Sequence, residues 1–244
     1  MRTRIRHGVA AVLAVSSLAL TAACGGSGDS DAKSGDEKSA GTPAASAKAT
    51  ESAPAAAPLT EAQMKAGALA LTDLPSGWKA STSESDGTVY KADKPECAPL
   101  ATLLADEIAG ATTGASVDYE TAGTESLIGQ QVATFPGTGA ADLVKSVGTA
   151  VDACAGFGAE MQGMKMDVTL QKLTAPQGAE EAHAFRLKMK IKDVGITVES
   201  NMLVASQGTG LTRFSHTPAN ASGHKDFDGL AKLAVEKFAK GAQS

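Results

Sequence analysis

The thiol of Cys24 lies at the point where three sequence features meet. Three arginines fall within the first six residues, an apolar run follows over residues 9–20, and two alanines directly precede Cys24. A basic start, a short apolar segment and small residues before a cleavage point are typical of a secretory signal peptide. The apolar run is shorter than the ~20 residues that a membrane-spanning helix needs. We therefore predict a signal peptide over residues 1–23 and export of the remaining chain.

The residues Thr21-Ala22-Ala23-Cys24 resemble the lipobox of bacterial lipoproteins. In that family the cysteine thiol receives a diacylglyceryl group, the signal is cut just before it, and the new amino terminus is usually acylated by a fatty acid such as palmitate. The resemblance implies that Cys24 is lipidated and anchors the protein to the cell membrane on its extracytoplasmic face. The alternative is an ordinary secretory signal that leaves Cys24 as a free thiol.

The segment after Cys24 has the composition of a spacer. Residues 25–58 contain no aromatic residue and no Ile, Leu, Val or Met. Such a segment cannot bury enough apolar surface to offset the entropy lost on ordering, so we predict that it is disordered. As a flexible coil of 34 residues, it would span about 30 Å. The chain therefore divides into a signal (1–23), a lipidated cysteine with its spacer (24–58) and one domain (59–244).

The charge balance excludes nucleic acid as a partner. The chain carries 22 basic and 27 acidic residues, a net charge of −5, and loss of the three signal-peptide arginines makes the mature net charge −8. Phosphate backbones are bound by clustered Lys and Arg, and an acidic chain repels them.

Two cysteines, Cys97 and Cys154, remain in the predicted domain. A pair of cysteines in an exported domain indicates a disulfide. The alternative is a metal or redox pair, but a separation of 57 residues has no Cys-x-x-Cys character. Closing a loop of that length would stabilise the fold by about 4 kcal/mol.

The side chains that could bind a metal or catalyse a reaction have simpler structural interpretations. Met161, Met164 and Met166 could bind Cu(I) through soft sulfur, but Met is also ordinary core filler on a strand. His183 is in register with apolar strand residues, which favours a core or cleft-edge histidine over a catalytic base. Hydrolase, phosphate-loop and zinc motifs are absent from the sequence. We expect no catalytic residues, no metal site and no cofactor.

Hydrophobic spacing predicts four helices. A capping box at Thr60 and Gln63 opens a short helix that runs towards Leu71. The turn Leu74-Pro-Ser-Gly-Trp78 follows, and then a helix over about 98–109. A strongly amphipathic helix over about 139–157 carries Cys154 and Phe157 on its apolar stripe, and a last helix covers about 226–241.

The rest of the domain has the period of β-strands. Apolar and polar residues alternate within six segments, which predicts antiparallel strands with one packed face and one face in water or lining a cleft. The segments are 115–121, 126–135, 164–170, 185–191, 196–204 and 211–216. The predicted fold is α+β, with a twisted antiparallel sheet of about six strands, three to four helices and one disulfide.

Short motifs in this domain resemble a known family. Leu71-Thr-Asp-Leu-Pro-Ser-Gly-Trp78, Glu96-Cys-Ala-Pro-Leu100 and Val151-Asp-Ala-Cys154 resemble segments of actinobacterial lipoproteins. These lipoproteins are similar to the extracellular sensor domain of PknH-type serine/threonine kinases. The resemblance implies an α+β sensor-like domain whose cleft holds an unidentified ligand. The chain differs from the kinase receptors because it has no kinase sequence and lacks the cysteines for a second disulfide.

Four residues are candidates for ligand contact. Met189 and Met202 belong to the apolar strand face, where flexible thioethers adapt to varied apolar guests. Trp78 could form the rim of a cleft, although a lone aromatic more often packs the end of a core. His183 would lie at the edge of the same face.

Three functions are consistent with these features. The first is an anchored, non-enzymatic binding or sensor-like module for a small or lipidic ligand. The second is a scaffold that meets another envelope protein, for which the cationic row Arg186, Lys188, Lys190 and Lys192 offers a docking surface. The third is a cell-wall hydrolase, which would need a pair of acid and base groups.

Overall fold

The computed structural model describes residues 56–82, 87–121 and 126–244. The predicted signal peptide, Cys24 and nearly all of the predicted spacer lie outside the described residues. The α-helices are α1 (Glu61–Gly67), α2 (Ala98–Thr102), α3 (Gly139–Ala153) and α4 (Phe227–Ala242). The strands are β1 (Trp78–Ser81), β2 (Tyr90–Ala92), β3 (Thr112–Thr121), β4 (Leu127–Thr134), β5 (Gly156–Met161), β6 (Met164–Leu173), β7 (Glu181–Ile191), β8 (Thr197–Gln207) and β9 (Gly210–Thr217).

The strands form one antiparallel sheet in the order β1-β3-β4-β9-β8-β7-β6-β5-β2. The α+β class is confirmed, but over the described residues the sheet has nine strands rather than about six. The three strands that the sequence did not predict, β1, β2 and β5, have four, three and six residues. So few residues give little alternation to recognise.

The ends of two helices also differ from prediction. α3 ends at Ala153 because Cys154 takes an extended conformation, so Phe157 belongs to strand β5 and not to the helix. α2 ends at Thr102 instead of near 109, and residues 103–111 form turns. The predicted capping box of α1 is confirmed, since Thr60 and Gln63 bond reciprocally.

Helices cover both faces of the sheet. On the α3 face, defined by Met202 and Val204 of β8, the buried residues pack against α2 and α3. On the α4 face, defined by Leu203 and Ala205, they pack against α4, and α1 adds a small cluster. Residues 200–206 of β8 are therefore all buried. This corrects the expectation of one packed face, which came from reading only alternate residues.

The disulfide prediction is confirmed. Cys97 and Cys154 are bonded, with their Cα atoms 5.9 Å apart and both residues buried. Cys97 ends the 3-10 turn before α2, and Cys154 caps the end of α3. The bond therefore ties together the two helical elements that cover the α3 face.

No helix in the described ranges has the length and hydropathy to cross a bilayer.

Candidate functional site

An open cleft of about 910 Å³ lies on the α3 face of the sheet. Its wall is the turn segment 103–111, and its floor is formed by β3, β4, β9 and β8, with Met189 of β7 at one side. The cleft exists because α2 stops at Thr102, so this part of the face is covered by turns that stand over the strands rather than by a helix packed flat on them.

Arg213 of β9 holds the wall over the floor. Its guanidinium donates to the backbone carbonyls of Leu103 (2.8 Å), Ala105 and Asp106 (3.4 Å). Burial lowers the pKa of Arg213, while the nearby carboxylates of Asp106 and Asp118 act in the opposite direction. The N–H groups of the Arg213 guanidinium bond to backbone carbonyls here. The main role of Arg213 is therefore to position residues 103–111.

Gln131 of β4 supports the same segment. Its Nε2 donates to the carbonyl of Asp106 at 3.2 Å, which fixes the orientation of the amide. Gln131 is only 8% exposed, and its Oε1 receives no hydrogen bond from the described residues. A buried acceptor without a partner costs about 1–3 kcal/mol, so this oxygen is a point where a donor would be stabilising.

The centre of the floor is a row across three strands. Asp118 of β3 pairs with Gly129 of β4, and Gly129 pairs with Ser215 of β9. A Cβ at Gly129 would lie 3.0 Å from the Ser215 Oγ and 3.3 Å from the Asp118 Oδ1. The lack of a side chain at Gly129 thus lets the carboxylate and the hydroxyl approach each other over the strand.

The polarity of the cleft changes from β3 to β7. Ser116 and Asp118 lie on β3, whereas Met202 and Met189 lie on β8 and β7. Leu103, Leu104 and Ile108 add an apolar wall. The cleft therefore offers polar contacts on one side and an apolar surface on the other.

The structure brings together two of the four residues predicted to contact a ligand. Met189 and Met202 line the cleft, Met189 half-buried and Met202 4% exposed. Trp78 lies on the α4 face, where it packs against the core beneath α4 and meets His216 edge-on with ring centroids 6.3 Å apart. The Trp78 position agrees with the packing alternative.

His183 faces α3 and not the cleft. A Cβ on Gly148 of α3 would lie 2.3 Å from its Nε2, and this nitrogen is 3.0 Å from Glu181 Oε1. It lines a separate pocket of about 510 Å³ beside Lys172 and Val151. Its ligand role stays a prediction, at a place apart from Met189 and Met202.

The cationic row of the scaffold hypothesis lies on β7 and just beyond it, and three of its four members have partners. The pairs are Arg186 with Asn201 (2.8 Å), Lys188 with Glu199 (2.9 Å) and Lys192 with Asp167 (2.9 Å). The carboxylates of Glu199 and Asp167 offset the charges of Lys188 and Lys192, whereas Asn201 is neutral, so the row offers less positive charge to an acidic partner than the sequence suggested.

The methionines considered for copper are spread between core and hairpin. Met166 is 3% exposed in the core, and Met161 and Met164 pair across the β5–β6 hairpin. In the part of the chain that the structure describes, no three His, Cys, Asp or Glu side chains are grouped as metal ligands would be.

Sequence reasoning missed the polar residues of the floor. Asp118, Gln131, Arg213 and Ser215 occupy the polar alternate positions of predicted strands, a face for which the sequence predicts either water or a cleft without naming these residues. The signal that could have found them is the recurrence of polar, non-lysine residues on the same face of three strands that neighbour one another.

Comparison with known proteins supports the fold. The chain is similar to the extracellular domain of PknH from Mycobacterium tuberculosis, with a TM-score of 0.52 at 12% identity, over 77% of this chain and 99% of that one. It is also similar to a putative uncharacterized protein from Mycobacterium smegmatis, with a TM-score of 0.42 at 10% identity, over 76% and 97%. No protein-family model and no curated protein matches it. The predicted resemblance to the PknH-type sensor domain is therefore confirmed as a likeness of fold.

Proposed function

We propose that this protein is a lipid-anchored, extracytoplasmic binding module that holds a small ligand in the cleft of the α3 face and does not transform it. The observation that carries the proposal is the cleft itself. Its volume of about 910 Å³ lies in the range of natural small-molecule sites, and its lining combines an apolar surface with convergent polar groups that could orient a ligand.

The hydrogen bonds that hold residues 103–106 support a preorganised binding site. Arg213 and Gln131 together make four hydrogen bonds to the carbonyls of residues 103, 105 and 106. A preorganised wall reduces the entropy lost on binding. The polar groups of the floor lie on strands, which hold their side chains more precisely than loops do.

The anchor rests on the sequence. The lipobox-like residues before Cys24 and the spacer of 34 residues would hold the domain near a membrane surface and leave it free to reorient. A Cys24→Ala variant should lose labelling by a radioactive fatty acid and should not be processed as a lipoprotein. Equal labelling of the variant would contradict the anchor and leave the cleft unaffected.

Native mass spectrometry of the full chain, purified from the membranes of its host, tests the cleft. The wild-type chain should carry a co-purifying small molecule. Ser215→Trp, which fills the middle of the floor, should lose it. Thr169→Trp, at an exposed strand position outside the cleft, should keep it. A wild-type chain with no bound molecule, or a Ser215→Trp chain that is folded and still loaded, would contradict the proposal.

A further inference from the structure

We propose that the ligand of this cleft is an amphiphilic primary amine, bound with its ammonium group over Asp118 and Gln131 and its aliphatic part along Met189 and Met202. The inference rests on the proposed function and specifies the ligand chemistry of the same site. It narrows the expectation of a small or lipidic ligand to one with a cationic head group.

The charge of the lining favours a cation. Among the described residues that line the cleft, three are acidic, Asp106, Glu107 and Asp118, and one, Arg213, is basic. The Asp106 carboxylate accepts from the backbone N–H groups of Gly87 (3.1 Å) and Thr88 (3.2 Å), so the negative charge nearest the floor is that of Asp118. Arg213 directs its hydrogen bonds to three backbone carbonyls of the wall. A carboxylate-headed ligand would add a negative charge to a lining that already has more acidic than basic residues, whereas an ammonium group would be attracted to it.

The hydrogen-bonding groups of the floor are mainly acceptors. The hydroxyl of Ser215 donates to the carbonyl of Gly129 at 3.4 Å, and that of Thr217 donates to the Ser200 Oγ at 3.0 Å. Their hydrogens are used within the protein, which leaves oxygen lone pairs for a ligand. A ligand that brings donors and no acceptor, such as an ammonium group with three N–H bonds, matches this floor.

Gln131 provides an independent observation. It pairs with Ser116 on one side and with Arg213 on the other, so it lies one row from Asp118. Its Oε1 is a buried acceptor with no partner in the described ranges. The Nε2 donates to the carbonyl of Asp106 at 3.2 Å, so the donor side of this amide is used within the protein. The unmet need at this point is therefore for a hydrogen-bond donor.

The apolar side of the cleft indicates the chemistry of the ligand beyond its ammonium group. Met189, Met202, Leu104 and Ile108 form a flexible aliphatic surface, which suits a hydrocarbon chain. None of the residues lining the described cleft is aromatic. Quaternary ammonium groups are usually held by aromatic cages, so the lining favours a primary amine over a choline-like head group.

Photoaffinity labelling with three eight-carbon probes tests the inference. The probes share one diazirine-bearing chain and differ only in the head group, which is ammonium, hydroxyl or carboxylate. The lipidated full chain is held in nanodiscs of neutral lipid, and labelled peptides are mapped by mass spectrometry. The ammonium probe should label peptides from residues 103–111, β4 and β9 saturably. It should do so at about tenfold lower concentration than the carboxylate probe, because a hydrogen bond to a charged group is worth that much.

Variants of Asp118 locate the effect. Asp118→Asn should reduce the preference for ammonium over carboxylate by about tenfold, and Asp118→Glu, which keeps the charge, should retain most of it. Asp193→Asn makes the same change of net charge at an exposed position outside the cleft and should have no effect. Melting temperatures verify that each variant is folded.

The outcomes separate this inference from the proposed function. Saturable labelling of the cleft by the hydroxyl or carboxylate probe, at or below the ammonium concentration, would overturn the amine assignment and leave a binding cleft in place. Labelling by the ammonium probe that Asp118→Asn does not change would overturn it as well. If no probe labels the cleft, the amine assignment fails, and native mass spectrometry decides separately whether the cleft holds another ligand.

Discussion

Polar side chains have different environments on the two faces of the central sheet. On the α3 face the polar residues of β3, β4 and β9 line an open cleft. On the α4 face Asn201 and His216 are 0% and 1% exposed beneath a packed helix. The difference lies in the covering element, because α4 is a helix of 16 residues that packs its apolar side on the sheet whereas α2 gives way to turns after Thr102.

Most of the buried polar groups on the α4 face have partners within the protein. Asn201 Oδ1 accepts from the Arg186 Nε at 2.8 Å, and the Asn201 amide nitrogen is 3.0 Å from the His224 Nδ1. His224 Nε2 is 3.3 Å from Glu199. The Nδ1 of His216 has no partner among the described residues. On the α4 face, polar side chains bond to one another and help to specify the packing. On the cleft face, polar side chains remain available to bind a ligand.

The largest expected effect concerns the disulfide, which joins the elements covering the cleft face. The double variant Cys97→Ala/Cys154→Ala should lower the free energy of unfolding by about 4 kcal/mol, because the unfolded chain is released from a closed loop. Urea unfolding of the oxidised wild type and of the variant measures it. Reduced wild type should resemble the variant. A loss below about 1 kcal/mol, outside the usual range for such a loop, would show that the bond contributes little to the α3 face.

The second prediction compares one residue type on the two faces. Leu203 is 0% exposed beneath α4, whereas Leu104 in the cleft wall is half-buried. Leu203→Ala should cost about 3 kcal/mol, since it removes apolar contacts and leaves a cavity. Leu104→Ala should cost about 1 kcal/mol, since its side chain is only partly withdrawn from water. Equal losses in urea unfolding would mean that the cleft wall is packed as tightly as the α4 face.

The third prediction concerns acid stability of the α4 face. Burial lowers the pKa of His216 from 6.5 to about 4, with His224 acting in the same direction and Asp226 in the opposite one. Between these two values the unfolded chain binds a proton that the folded chain does not, so stability falls as the pH falls from 6.5 towards 4. The contribution of His216 to that loss should reach about 2–3 kcal/mol near pH 4.5.

His216→Gln isolates this contribution, because glutamine does not titrate. Carboxylates and the neighbours His224, Arg186 and Glu199 act on both proteins, so the difference between the two stability curves reports on His216. The variant should lose less stability than wild type when the pH is lowered from 7.5 to 4.5. Parallel curves would mean that the ring of His216 is protonated in the fold as readily as in the unfolded chain.

Sequence patterns were sufficient to predict the long helices and strands. They were insufficient to predict contacts and burial that depend on two elements packing together. The capping box at Thr60, the strands β3, β4 and β6 to β9, and the Cys97–Cys154 bond were all predictable, because each depends on local period or on cysteine pairing. The run Met202-Leu-Val-Ala205 contains two interleaved apolar sets, one for each face. Reading only Met202 and Val204 suggested one packed face, although a continuous apolar run favours burial on both.

The cleft was less predictable because it depends on where a helix stops. Leu100, Leu103, Leu104 and Ile108 have helical spacing, but Gly110 has a φ of +81° and Arg213, more than a hundred residues later, takes up the carbonyls of the wall. No local pattern encodes that contact. Met189 and Met202 lie on the cleft face, as the strand period indicates. Trp78 lies on the α4 face, because both faces of the sheet are covered and its strand turns the indole away from the cleft.

The smallest expected effect, no change at all, concerns Trp78. It is the only tryptophan of the chain and lies on the α4 face, with the sheet between its indole and the cleft. Indole emission responds to the polarity of its immediate surroundings, so octylamine bound in the cleft should not shift the emission maximum of the wild-type chain. In Trp78→Phe/Met189→Trp, the sole indole lies at the apolar side of the cleft and its emission should shift to shorter wavelength as the aliphatic chain displaces water. A shift in the wild type, with none in the variant, would place the amine on the α4 face and reverse the roles that the structure assigns to the two sides of the sheet.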